Sequence, residues 1–335
     1  MTGLSPERLG PLRVAKLSAL LGSRLSDPAP LSSPMGTGAA ILQSDGRGAV
    51  LVEDATNRSL GGAVTWAVRR GATELVVIVD ADEATAAHLA REGTWFTMPV
   101  TVERISGHTS VAVGPGDFPT TLETPGSPAD TAGLTAMMTD AGIDVVTEHG
   151  VIRGEVLGLE VARIVMTDGI ERLEVGVGRF DREISTMMFA SIPTADALAK
   201  AIELVRKHRR PASTVHPLRD LVPERWIRQI LLDDPSPVGA AVLRAADSTV
   251  EPENLRVTQP TAALGLDDNG DPIVVVCTAG IDLDVVPLAA DTREKLAPDA
   301  QLVICGPARS LVPATRAVGA ALIRPPRFVE VELPY

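Results

Sequence analysis

The chain has 335 residues, 45% of them hydrophobic and 22% charged, which is enough for two or three packed domains. Its net charge of −12 argues against general duplex binding, because such binding draws most of its affinity from neutralised phosphates. The N-terminus shows no basic patch followed by an apolar run, and no apolar run approaches the roughly 20 residues of a membrane helix. We therefore expect a cytoplasmic protein without a signal peptide or a membrane span.

Residues 1–105 are predicted to form an N-terminal αβ module. An amphipathic helix over about 5–24 precedes a Pro/Ser/Gly-rich linker over 25–38. Apolar segments on both sides of SDGRG (44–48) predict a β-hairpin. Helices and strands then alternate over 59–105, which is typical of an α/β protein.

Residues 106–128 are predicted to be a linker, because they are rich in Gly, Pro, Thr and Ser and lack a sustained hydrophobic period. A central αβ module follows over 129–250. It opens with a helix, and its strand-like segments lie at 144–154, 156–165 and 172–178. Asp168 and Gly169 predict a hairpin turn between the last two strands. Helices, one basic segment and further helices are expected from there to about 246.

Residues 251–335 are predicted to form a C-terminal αβ module with the same order as the first: hairpin, helix, strand, helix, strand. DGIERLEVGVGRFDRE (168–183) of the central module also aligns without gaps on NGDPIVVVCTAGIDLD (269–284). We interpret the chain as three divergent copies of one module. Convergence is the alternative, since this order is common in α/β proteins. The predicted class is α/β (α+β), with repeated hairpin-helix-strand-helix modules and mixed sheets.

The strands of the central module carry two glutamates that are candidate catalytic and metal-binding residues. Strand alternation places Glu160 on one face with Gly158 and Ala162, and Glu174 on the face of the following glycines. If these faces coincide, two carboxylates lie over a floor of small side chains, where they could bind Mg²⁺ and activate water. The alternative is a solvated strand face whose glycines admit a close-packed neighbour.

The helix–strand–strand–strand–helix order of this module resembles the core of the restriction-endonuclease-like (PD-(D/E)XK) nuclease superfamily. That resemblance implies that Glu160 in LGLEVAR and Glu174 in RLEVGVG hold a divalent metal, as an acid and an E-x-K motif do in the superfamily. The family's lysine, however, is replaced by Gly176. We therefore favour an inactive or repurposed fold over an active nuclease.

Two groups of cations are candidate anion-binding residues. Arg179 and Arg182 follow the third strand, and the favoured alternative there is a structural role in which Asp181 caps the following helix. The segment 206–228 has seven cations and two anions, a net charge of +5. The candidates in that segment are Lys207, Arg209, Arg210, His216, Arg219 and Arg225. The alternatives are a helix C-terminus that favours cations and a solvated basic face that pairs with the acidic remainder of the protein.

Two further features constrain the interpretation. Cys277 and Cys305 each lie in an apolar, strand-like run without metal-ligand spacing, which predicts buried thiols. The stretches RGEVLGLEVARI, RLEVGVGRFDRE and IVVVCTAGIDLDVVP resemble a conserved hypothetical family of actinobacteria. That resemblance implies cytoplasmic residence and assigns no activity.

These observations lead to two functional hypotheses. The first is a non-catalytic cytoplasmic scaffold or regulatory protein, without a cofactor, that binds an anionic ligand or protein partner through 206–228. Nucleic acid is disfavoured as the partner by the net charge. The alternative is a metal-dependent nuclease or phosphoesterase that uses Glu160, Glu174 and Mg²⁺.

Overall fold

A computed structural model describes residues 6–120, 128–177, 194–210, 216–251 and 259–334. Over these residues the chain is mixed α/β with three β-sheets, which confirms the predicted fold class. Its α-helices are α1 (Pro6–Leu21), α2 (Gly61–Arg70), α3 (Glu83–Gly93), α4 (Pro128–Asp140), α5 (Thr194–His208), α6 (Pro217–Asp220), α7 (Pro223–Asp233), α8 (Val285–Leu296) and α9 (Pro313–Ala320).

The strands of the first sheet are β1 (Leu31–Met35), β2 (Gly38–Leu42), β3 (Arg47–Val52), β4 (Glu74–Val79), β5 (Val100–Ser106) and β6 (Thr109–Val113). Those of the second are β7 (Asp144–Glu148), β8 (Val151–Val156), β9 (Leu159–Thr167) and β10 (Ile170–Val175). Those of the third are β11 (Ala240–Ala246), β12 (Thr261–Asp267), β13 (Pro272–Cys277), β14 (Gln301–Gly306) and β15 (Arg327–Glu330).

The chain folds into two compact units, and neither is contiguous in sequence. Unit 1 is Met1–Phe118, Asp282–Lys295 and Val312–Pro326. Unit 2 is Pro119–Ile281, Leu296–Leu311 and Arg327–Tyr335. The third sheet begins before the predicted boundary at residue 251, because β11 lies within the predicted central module, and α9 and nearly all of α8 belong to unit 1.

Unit 1 is built on a six-stranded sheet with its strands in chain order, β1 to β6. Strands β1 to β3 are antiparallel, β3 to β5 are parallel, and β6 pairs antiparallel with β5. Helix α1 buries Leu17 and Leu21 against Ile41, Leu51 and Ile78 of the sheet. That burial of aliphatic surface is the main stabilising contribution of α1.

Two predicted linkers contain strands instead. The segment 25–38 contains β1, and the segment 106–128 begins with the end of β5 and continues into β6. Gly36 and Gly107 adopt φ of 53° and 63°, which turns the chain tightly enough for each edge strand to pair with its neighbour. Pro34 in β1 is tolerated because an edge strand has free N–H positions.

Unit 2 contains the other two sheets. The sheet β11 to β15 has the same strand order and directions as β1 to β5, so the predicted first and third modules share a topology. The sheet β7 to β10 is an antiparallel meander over its described strands. It shares with the other two sheets only their antiparallel hairpins. Asp168 and Gly169 form the predicted turn, with φ of 53° and 75°.

Two secondary-structure predictions in this unit were wrong. The predicted strand 144–154 is two strands, because His149 and Gly150 both adopt positive φ and turn the chain. The predicted helix near 240–246 is β11, since pairing with β12 overrides the helix propensity of its alanines.

Helix α7 connects the two sheets of unit 2. Its Trp226, Ile227 and Leu231 are buried in the core of the β11–β15 sheet. Its Arg225 and Arg228 are also buried, and they contact β7 and β8 of the meander. This helix therefore places cationic side chains of the predicted basic segment inside the protein.

Candidate functional site

Arg209, a predicted anion-binding residue, is buried and hydrogen-bonded within the protein. Its guanidinium donates to the carbonyl oxygens of Leu218 (3.0 Å), Leu157 (2.6 Å) and Leu221. It also lies 5.0 Å from the ring centroid of Trp226, a cation–π distance. These contacts hold the chain after α5 against the β8–β9 turn and α7, and they leave Arg209 unavailable to a ligand.

Arg225, another predicted anion-binding residue, does bind anions, but the anions are the protein's own glutamates. Its Nη2 donates to Glu148 Oε2 at 2.8 Å and its Nη1 to Glu155 Oε1 at 3.2 Å. One helical turn away, Arg228 Nη1 donates to Glu148 Oε1 at 2.7 Å, and its Nη2 donates to both oxygens of Glu155. All four side chains are at most 4% exposed.

Arg153 and Glu160 complete this group, which we call the buried ion-pair cluster. Arg153 Nε lies 3.1 Å from Glu160 Oε2, and Arg153 Nη1 lies 3.2 Å from Glu148 Oε2. The cluster therefore contains three carboxylates and three guanidinium groups, with a formal charge of zero. Such balance is what a site shielded from water requires, because an unpaired charge there is costly.

The pKa of Glu148 shows how strongly the arginines stabilise its charged form. Burial alone raises the pKa of this carboxyl group, but Arg228, Arg225 and Arg153 outweigh it and lower the pKa to about 2. Burial likewise lowers the pKa of Arg228, and the two glutamates outweigh that effect, so its pKa is raised. Both groups are therefore charged at neutral pH.

The predicted face of Glu160 was wrong because β9 contains a β-bulge. Glu160 pairs with Glu155, and Ala162 pairs with Gly154, so one extra residue of β9 lies between these pairs. The bulge places Glu160 on the face opposite Ala162, while Gly158 lies in the turn before β9. Glu160 thereby reaches Arg153.

Glu174 lies on the same face of the sheet as Glu160, but it has its own arginine. It is paired in register with Arg163, whose Nε lies 3.1 Å from Glu174 Oε2. The side chains of Glu174 and Arg163 are about one third exposed. Each candidate carboxylate is thus already neutralised by a cation. The Mg²⁺ role that the nuclease resemblance implies stays a prediction.

Lys207 and Arg210 are the candidates of the basic segment that are exposed to solvent. They line a shallow groove of about 650 Å³ together with Ile202, Glu203 and Arg206. Neither Lys207 nor Arg210 forms an ion pair with any residue that the structure describes.

The other candidates have local roles. Arg219 Nε lies 3.3 Å from Asp220 Oδ1. His216 Nδ1 accepts a hydrogen bond from the N–H of Leu218 at the start of α6, and its ring stacks on His208 at 3.6 Å. Desolvation lowers the pKa of His208, and His216, Lys207 and Arg210 lower it further. The lowered pKa favours the uncharged ring of His208, which stacks on His216 without adding a positive charge to the pair.

Arg179 and Arg182 lie outside the described residues, as does Asp181, the predicted cap of the following helix. Their assignment to anion binding stays a prediction.

Sequence reasoning missed a second buried polar network, which lies in unit 1. Arg91 forms a two-point ion pair with Asp291, with Nε–Oδ1 and Nη2–Oδ2 distances of 2.9 Å. Trp95 Nε1 donates to Asp291 at 3.1 Å. The spacing of His88, Arg91 and Glu92 places them on one helix face, but Asp291 is 200 residues from Arg91 in sequence, so the pattern alone could not reveal the pair.

The protonation of this network follows from its geometry. Arg91 Nη2 lies 2.9 Å from His88 Nδ1, and a guanidinium only donates, so Nδ1 is the acceptor and the ring proton is on Nε2. His88 Nε2 faces Glu92 Oε1 at 3.3 Å. Burial raises the pKa of Glu92 to about 7. His88, Glu92 and Asp291 form a group of ligand-type side chains, but Arg91 already supplies the cation that balances them.

Comparisons with known proteins assign no family to this arrangement. Neither a family model, a curated protein nor a solved structure matches the chain. Among the described helices, none is both long enough and apolar enough to cross a membrane.

Proposed function

We propose that this protein is a non-catalytic, cytoplasmic scaffold or regulatory protein that binds an anionic partner through the exposed cations of the segment 206–228. One observation carries the proposal. Lys207 and Arg210 are exposed beside a groove and pair with no described acidic group, whereas Arg209 and Arg225 of the same segment are used internally.

The placement of these cations favours an electrostatic role. Lys207 lies in the last turn of α5 and Arg210 lies two residues beyond its end, and both side chains line the same groove. The protein as a whole carries a charge of −12, and a local positive surface on such a protein orients an anionic partner as it approaches. Glu203 in the same groove reduces the positive potential at one end and so restricts the orientation of the partner.

An acidic protein segment is a better partner than nucleic acid. The three cations of the groove, Arg206, Lys207 and Arg210, neutralise few phosphates, and the negative remainder of the chain repels a long polyanion. A short acidic peptide places its charges on the groove alone. We therefore expect a fluorescently labelled oligoglutamate peptide to bind more tightly than a single-stranded oligonucleotide of similar length.

The test compares two charge-reversed variants by fluorescence anisotropy at low salt. Lys207→Glu/Arg210→Glu should weaken oligoglutamate binding at least tenfold. Arg244→Glu/Arg309→Glu is the matched control, because it reverses two exposed cations of the same unit away from the groove, and it should weaken binding much less. Equal losses in both variants would show that only net charge matters and would overturn the proposal.

The alternative, a metal-dependent nuclease or phosphoesterase, has less support because Arg153 and Arg163 already neutralise Glu160 and Glu174. Hydrolysis of bis(p-nitrophenyl) phosphate with Mg²⁺ provides the decisive assay. Activity that disappears in Glu174→Gln would replace the non-catalytic proposal with the enzymatic one.

A further inference from the structure

Unit 1 contains a half-open cavity that none of the functional hypotheses uses. Its volume is about 680 Å³, within the usual range of small-molecule sites, which is about 300–1,000 Å³. The β1–β2 hairpin and β3 form one wall, and one side of α2 forms the other. Since α2 has ten residues, this wall is about 15 Å long.

One end of the cavity is cationic. Arg69 and Arg70, in the last turn of α2, line it and are exposed to solvent. Neither forms an ion pair with a residue in the described part of the chain. Each guanidinium group lines the cavity and can donate charge-assisted hydrogen bonds to a carboxylate, sulfonate or phosphate group there.

Apolar side chains line part of the body of the cavity, beside polar ones such as Ser59. Met35, Leu51 and Trp66 line it. The indole N–H of Trp66 is buried and has no hydrogen-bond acceptor among the described residues. Because that donor is shielded from solvent, the contribution of Trp66 to the cavity is its ring surface.

The opposite end of the cavity is closed by an acidic segment of unit 1. Asp284 lines the cavity, and its Oδ1 accepts a hydrogen bond from the N–H of Gly61 at 2.6 Å, at the start of α2. Arg58 pairs with Asp282 beside it. The anion-attracting N-terminus of α2 is therefore already occupied by a carboxylate, so an anionic ligand group is directed to the arginines at the other end.

The structure keeps the cavity open at Gly62. A methyl group at Gly62, on the cavity side of α2, would meet no atom within 4 Å. In contrast, a methyl group at Gly61 would come within 2.1 Å of the carbonyl oxygen of Leu283. Gly61 is thus required for packing, whereas Gly62 leaves open space and lowers the helix propensity of α2 without a packing reason.

We propose that this cavity binds a small organic anion with an apolar body, whose anionic group lies at Arg69 and Arg70 and whose body packs against Met35, Leu51 and Trp66. The site is separate from the groove at Lys207 and Arg210, so each proposal can fail without the other.

The test uses two fluorescent probes that share an aromatic body. 8-Anilinonaphthalene-1-sulfonate carries a sulfonate, and N-phenyl-1-naphthylamine is its uncharged counterpart. For the full chain, Arg69→Gln/Arg70→Gln should weaken binding of the sulfonate at least tenfold and leave binding of the uncharged probe within about twofold. Gly62→Leu places a large side chain in the open space beside α2 and should weaken binding of both probes, whereas Gly62→Ala should retain both.

Circular dichroism identifies variants that fail to fold, and Gly62→Ala controls for changes in the helix itself. Unchanged sulfonate binding in Arg69→Gln/Arg70→Gln, or unchanged binding of both probes in a folded Gly62→Leu variant, would overturn the proposal.

Discussion

Replacing Arg228 by Met perturbs the buried ion-pair cluster most directly. Arg228 is fully buried and donates to Glu148 at 2.7 Å and to Glu155 at 3.2 Å. Methionine keeps a flexible, unbranched side chain, so the change removes one of three cations and leaves a net charge of −1 in a site shielded from water. Removing one partner of a buried pair costs about 3–5 kcal/mol, and we expect unit 2 to lose that much stability.

The loss of stability should depend on pH, because the surrounding arginines set the pKa of Glu148. In the native protein its pKa is lowered from 4.5 to about 2, so its contribution is complete above about pH 4.5 and is lost as the pH falls through 2. That contribution is of the order of 3 kcal/mol. Without Arg228 the pKa of Glu148 rises, and protonation then relieves the uncompensated charge. The deficit should therefore shrink as the pH falls from neutral toward the native pKa of about 2.

Hydrogen exchange measured by mass spectrometry suits this test, because global unfolding would not separate the two units. Peptides from α7 and β8 report the stability of the cluster directly. Arg244→Met, on an exposed position of β11, is the control and should change stability by no more than about 0.5 kcal/mol. If Arg228→Met is no more destabilising than this control, the assigned role of the cluster is wrong.

A compensating variant distinguishes charge from packing. Arg228→Met/Glu148→Gln leaves Arg153, Arg225, Glu155 and Glu160, which are again balanced in charge. We expect the double variant to be less destabilised than the sum of the two single variants, by about 0.5–3 kcal/mol. Strict additivity would indicate that packing alone accounts for the loss.

Three further predictions concern other parts of the chain. Burial raises the pKa of Glu92 to about 7, so the stability it provides while protonated is complete below about pH 4.5 and is lost as the pH rises through 7. Glu92→Gln should therefore raise the melting temperature more at pH 8.5 than at pH 5. Gly38→Ala should prevent folding of unit 1, as judged by hydrogen exchange in peptides from β2 and β3, because its methyl group would lie 1.7 Å from a carbonyl oxygen of β3, whereas Gly62→Ala should be neutral or stabilising. Cys277 and Cys305 are buried with their sulfur atoms 3.4 Å apart, and their interaction and burial raise the pKa of Cys305, so both should resist Ellman's reagent until guanidinium unfolds the protein. Immediate labelling of the native protein would contradict this.

The sequence predicted the parts of the fold that local patterns determine. The run PIVVVC became β13, and the turn signal Asp168-Gly169 became a turn with two positive φ angles, since both depend on a few neighbouring residues. Edge strand β1, with Pro34, and strand β11, rich in alanine, were missed. Their propensities are poor for strands, and their pairing partners decide the outcome.

The candidate sites were less predictable, because they depend on contacts between distant segments. Charge alone could not distinguish the exposed Lys207 and Arg210 from Arg225, whose partner Glu148 is 77 residues away. The bulge that moves Glu160 to the other face leaves no mark in a simple alternating pattern. The cavity in unit 1 is bounded by segments as distant as Thr37 and Asp284, which no local motif connects.

The division of unit 1 along the chain has a consequence for how the protein is made. Its sheet is complete in sequence by Phe118, but helices α8 and α9 come from residues up to Pro326. At a translation rate of about 5–20 residues per second, the ribosome needs roughly 10–40 seconds to synthesise the intervening segment. During that interval unit 1 lacks two of its helices, so it cannot complete its fold until nearly the whole chain has been synthesised.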